Sequence, residues 1–117
     1  MSWTKHTKQN TNGIGDYKLE KDDFFKPEEA LEKWGELVVI KGAFINRKSK
    51  FGAHPVIFMD TPDGIKGLDL SPSYTEQWEM ILADEDDRKT IESGNATGSL
   101  VKRFSDKYKR DFVAFNI

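Results

Sequence analysis

The chain has 117 residues, with 37% hydrophobic and 32% charged side chains. That is one domain's worth, since domains cluster at roughly 100–150 residues. Eight Phe, three Tyr and three Trp are too many rings for a disordered chain, so most of it should fold. Cysteine is absent, which excludes a disulfide framework, a thiol nucleophile and a cysteine zinc site. Two histidines, His6 and His54, are too few for a histidine-rich metal centre, and no metal or cofactor is expected. No apolar run approaches the ~20 residues that span a bilayer. Residues 1–6 lack the apolar core of a secretory signal, so a cytoplasmic location is the expectation.

The net charge of −2 says little, because the charges are segregated. Residues 18–36 carry seven acids against four bases, and residues 74–92 seven against two. Residues 37–58 carry Lys41, Arg47, Lys48 and Lys50 and no acid. Residues 99–117 carry Lys102, Arg103, Lys107, Lys109 and Arg110 against Asp106 and Asp111. Two local basic footprints in a mildly acidic chain are what a polyanion would meet.

In chain order, residues 1–16 read as a flexible polar arm, with Trp3 its one large ring. Residues 17–117 read as a single domain. Residues 26–34 read as a helix with Pro27 at its first position, Glu28 and Glu29 in its first turn, and Gly35 as its stop. Phe24 and Phe25 should staple it to the core. Residues 37–46 are the strongest strand, with Gly42 marking a bend. Residues 55–59 and 65–70 read as two more strands, joined by a Pro62-Asp63-Gly64 turn. Then the period changes. Ser73 with Glu76 suggests a capping box, and Tyr74, Trp78, Ile81 and Leu82 form a helical stripe. Asp84 to Asp87 either interrupts that helix or opens a second one through Ile91. Residues 99–105 and 111–117 read as the last two strands.

After the leading helix the order is three strands, a helix and two strands. That is the arrangement of the OB-fold, a mainly β, five-stranded Greek-key barrel with its helix between strands three and four, although a split sheet with helices on one face (α+β) would read similarly. Such barrels bind oligonucleotides across strands two and three, between two flanking loops. Here those loops are 46–54 and 105–110. The first offers Arg47, Lys48, Lys50, Phe51 and His54. The second offers Lys107, Tyr108, Lys109 and Arg110. Cations that track phosphates beside rings that stack bases are what single-strand binding needs. Lys41, Lys102 and Arg103, on the strands, complete the candidate set. Val38, Ile40, Phe44, Phe58, Phe104, Val113 and Phe115 read as barrel interior.

The stretch Gly35–Gly42, followed by Phe44–Gly52 and His54–Ile57, resembles small single-stranded-DNA-binding proteins of bacteriophages that infect lactic-acid bacteria. Leu68–Pro72 and Ile91–Gly94 fit the same pattern, and the likeness runs over residues 15–117. The resemblance implies an OB-fold that coats single strands in DNA replication or recombination, often as a dimer. RNA in place of DNA stays open. So do partners among phage or host replication and recombination proteins. The likeness departs from bacterial single-strand binders in showing no acidic partner-recruiting tail, so recruitment by that route is not expected.

Catalysis finds no footing. Glycine-rich phosphate loops and nucleophile elbows are missing. Asp60, Asp63 and Asp69 read as turn residues and an exposed strand position, and Asp84–Asp87 lacks calcium-loop spacing. The competing expectation is a protein-interaction module. It would use the acidic helices with Trp34 and Trp78 to bind or inhibit a host nucleic-acid-processing protein.

Overall fold

The structure is a computed structural model, and it describes residues 13–15, 17–48, 50 and 52–117. The protein is mainly β, a six-stranded sheet curled into a half-barrel with three helices. The strands are β1 (Phe24–Phe25), β2 (Leu37–Asn46), β3 (His54–Thr61), β4 (Gly64–Asp69), β5 (Ala96–Ser105) and β6 (Arg110–Asn116). The helices are α1 (Pro27–Trp34), α2 (Thr75–Ala83) and α3 (Glu85–Glu92). The sheet order is β1-β4-β3-β2-β5-β6.

Strand β2 serves both halves of the sheet. Its first residues pair with β5, from Leu37↔Ser99 to Ile40↔Ala96, and its remainder pairs with β3. The register slips between Ile40 and Gly42, which is the bend that the glycine marks. The glycine is required by close approach: a Cβ there would meet the carbonyl oxygen of Ile14 and the Phe58 ring. Ile14 forms a bridge with Ala43 and is only 5% exposed. The folded part thus reaches back into the span 1–16 expected as an arm. Trp3 lies outside the described residues.

Six strands replace the expected five because Phe24–Phe25 adds a short parallel strand beside β4. Phe25 still anchors α1, edge-on to Trp34 with ring centres 4.8 Å apart. Pro27 opens α1 as expected, and Glu29 accepts the backbone N–H of Lys26. The Ser73 capping box does not form. Pro72 starts a 3-10 turn over Pro72–Tyr74 that feeds α2 directly, and Ser73 meets Ser71 instead. Asp84 ends α2 and caps α3, accepting from the N–H groups of Asp86 and Asp87. The acidic run therefore opens a second helix.

Trp78, Leu82 and Ile91 of α2 and α3 fill the curl of the sheet against Val38, Ile40, Ile57, Met59, Leu68 and Leu100. Trp78 is 1% exposed and stacks on Phe115, so it cannot belong to the acidic helix surface expected to carry it with Trp34. Trp34 is half-buried and donates to Asp63 at 3.0 Å. Phe44 and Phe58 are not in this core, because they alternate with Ala43, Ile57 and Met59 along their strands. With Tyr17 they make a second cluster, with ring centres 5.2 and 5.5 Å from Phe58.

The segment before β1 is tied to β4 by Lys66, whose Nζ lies 2.8 Å from Asp23. That bond and the N–H of Glu20 hold the Asp23 carboxyl below the usual carboxylate range. A carboxyl lowered on folding adds stability above its unfolded pKa of about 4, and the gain fades as the pH falls through the folded value. Asp23→Asn should therefore lower the urea midpoint at pH 7 but change it much less at pH 2. Equal losses at both pH values would show that the ion pair adds nothing.

Candidate nucleic-acid interface

Strand β5 outruns its neighbour. Its pairing with β2 stops at Ser99, while pairing with β6 continues from Ser99↔Asn116 to Ser105↔Arg110. Among the described residues, the far half of the hairpin is a two-stranded ribbon with no further sheet partner. This overturns one expectation. Phe104 has the alternation of an interior residue, but the barrel does not extend far enough to cover it, and it is 58% exposed. Phe112 is 39% exposed and Tyr108, in the turn, 65%. Three exposed rings thus stand among Lys102, Arg103, Lys107, Lys109 and Arg110, all exposed.

The ribbon has two faces. Register places Lys102 and Phe104 on one side, with Asp111 and Val113 opposite them. Arg103, Ser105, Arg110 and Phe112 share the other side. At the tip, Lys107 Nζ lies 5.3 Å from the centre of the Tyr108 ring, and the Tyr108 N–H donates to Ser105 Oγ. Lys109 adopts a left-handed conformation, φ +54°. Glycine or asparagine is the usual residue there, and any other costs roughly 1–2 kcal/mol. A cation is held where glycine would be more stable, the kind of strain that collects at functional sites.

The sheet does not close between its two edges, β1 beside β4 on one side and β6 on the other, and the gap holds a cleft of about 1060 Å³. Ser105, Tyr108, Arg110 and Phe112 of the ribbon form one wall. His54, Asp69 and the residues 70–74 form the facing side, and the start of α1, with Lys26, adds to the lining. The structure therefore brings His54, Tyr108 and Arg110 to one place, as the candidate loops require. Tyr74, at the end of the 70–74 segment, fixes the geometry: its hydroxyl accepts the N–H of Phe115 at 3.0 Å, on the free edge of β6.

The remaining candidates are distributed. Arg47 is exposed but ion-paired with Glu79 of α2 at 2.6 Å. A surface pair of this kind is worth at most about 1 kcal/mol and yields readily to a phosphate. Lys48 and Lys50 are exposed on the β2–β3 loop. Phe51 lies outside the described residues. Lys41 sits at the bulge of β2 with its Nζ near Gly94, just past the end of α3. From that end β5 runs about 30 Å to the ribbon tip, at ~3.3 Å per residue. Lys41 is thus set apart from the ribbon.

Asp69 was not a sequence candidate. It is half-buried, not an exposed strand position, and burial pushes its carboxyl up against the opposing pull of His54 and Lys26. His54 Nε2 lies 3.7 Å from Asp69 Oδ1, too far for a good hydrogen bond. Nothing local in the sequence signals this pairing, which comes from the register that puts Asp69 beside Val56. Among the described residues there is no cluster of three His, Asp or Glu side chains able to hold a metal. No described helix is long and apolar enough to cross a membrane. Compared with protein-family models, curated proteins and solved structures, the chain matches none.

Proposed function

We propose that this protein binds single-stranded DNA without strong sequence preference, as an OB-fold module that protects exposed strands during phage DNA replication or recombination. The reading rests on the β5–β6 ribbon, where the exposed rings of Tyr108 and Phe112 line an open cleft among five exposed cations. Exposed rings cost solvation and do nothing for the core, whereas unpaired bases stack on them with little regard to sequence. Duplex DNA hides its base faces and cannot use them. The path β4-β3-β2-β5-β6 supports the OB assignment, being that of a Greek-key barrel opened between its third and fifth strands. The role is binding and not catalysis.

Titration with oligo-dT, followed by tryptophan fluorescence, tests the reading. If three to five phosphates are neutralised, log K falls against log salt with a slope of about −2 to −3.5. Duplex of the same length binds more weakly. A flat salt response, or equal affinity for duplex, overturns the reading. An oligo-rU arm measures whether the sugar matters.

A further inference from the structure

We infer that the seam cleft reads one base of the bound strand and that this base is guanine, held through its Watson–Crick edge by the carboxylate of Asp69. The inference rests on the single-strand reading above and goes beyond it, because a coating protein needs no base preference.

The cleft, about 1060 Å³, is larger than many small-molecule sites, so a nucleotide fits. Its parts divide by chemistry. Tyr108 and Phe112 supply faces on which a base stacks, and Arg110 supplies a cation for the adjoining phosphate. Asp69 does neither. A carboxylate repels phosphate, so its part of the cleft suits a base edge and not the backbone. An ionised carboxylate accepts hydrogen bonds and donates none. This one is half-buried, and the Nε2 of His54, 3.7 Å from its Oδ1, stands too far off for a good hydrogen bond. Partial burial without a close donor is costly, and burial pushes this carboxyl up against the opposing pull of His54 and Lys26.

The bases differ in what they offer two carboxylate oxygens. Guanine presents N1–H and N2–H₂ side by side, which allows a bidentate contact. Cytosine and adenine each place one amino group beside a ring-nitrogen acceptor. Thymine flanks its single N–H with two carbonyls that repel the carboxylate. Only guanine satisfies both oxygens.

The test is fluorescence anisotropy with labelled oligo-dT carrying one central dG, dC, dA or deoxyinosine. A bidentate pair predicts roughly tenfold tighter binding of the dG strand than of plain oligo-dT. Deoxyinosine, which lacks the N2 amino group, should lose most of that gain on the unaltered protein. Asp69→Asn should remove the dG-to-dT ratio, with a thermal melt confirming that the variant folds. Equal binding of all strands by the parent overturns the inference while leaving single-strand binding intact. So does a preference for dC, or a dG preference that survives in both inosine and Asp69→Asn. Failure to bind any strand overturns both readings.

Discussion

Replacing Tyr108 and Phe112 together by alanine lowers oligo-dT affinity by about 2–6 kcal/mol, taking about 1–3 kcal/mol for each stacked base. Both rings line the cleft, Phe112 on the ribbon face that carries Arg103 and Arg110. Phe104, on the opposite face with Lys102, is the internal control. A strand that follows the cleft passes it by, so Phe104→Ala keeps most of the affinity. Folding should hardly notice the loss of Tyr108, which is exposed, and only modestly the loss of Phe112. Phe115→Ala gives the contrasting pattern. That ring is buried against Trp78, and its removal costs stability of about 3–5 kcal/mol while the folded fraction binds as before. Titrations paired with thermal melts separate the cases. Undiminished affinity in the Tyr108/Phe112 variant would move the nucleic-acid face off the ribbon's cleft side. A Phe104→Ala loss as large as the other two would mean that the strand wraps the ribbon.

The parts of the fold that read correctly from sequence are those set by local chemistry. Pro27 fixes the start of α1 because a helix's first N–H groups have no partner anyway. Gly64 takes φ +104° in the β3–β4 turn, as the Pro-Asp-Gly run requires. Phe104 misleads for a non-local reason. Its alternation with Lys102 and Leu100 is that of an inward-facing residue, and it does share their face. Whether that face is covered depends on how far the neighbouring strand reaches, and β2 stops pairing at Ser99. Phe44 and Phe58 mislead similarly, since two clusters on opposite faces of one sheet give a nearly continuous apolar strand. The basic loops were legible as composition. The cleft beside them was not, because it exists only where the two edges of the sheet, β1 with β4 and β6, fail to meet. Asp69 acquires its surroundings from register alone.

The bend in β2 carries the second large effect, on stability. A Cβ at Gly42 would collide with backbone, the Ile14 carbonyl, and not with a flexible side-chain end that could move aside. The simplest relief is release of the 13–15 segment. That breaks two backbone hydrogen bonds between Ile14 and Ala43, 2.7 and 2.9 Å long, and exposes the Ile14 side chain. Reburial of an isoleucine is worth about 1.5–3 kcal/mol, and each hydrogen bond a net ~0.5–1.5 kcal/mol. Gly42→Ala should therefore cost about 2.5–6 kcal/mol, overlapping the ~2–5 kcal/mol of Ile14→Ala at a core site. The two changes disable the same contact, so their effects should not add. The double variant should be little less stable than either single one, an interaction energy of the kind found between touching residues. Urea unfolding of the four proteins measures it. Full additivity would mean that Gly42→Ala acts elsewhere, through the Phe58 ring 2.9 Å from the added carbon, and that the outer aromatic cluster, not the Ile14 bridge, is what the glycine protects.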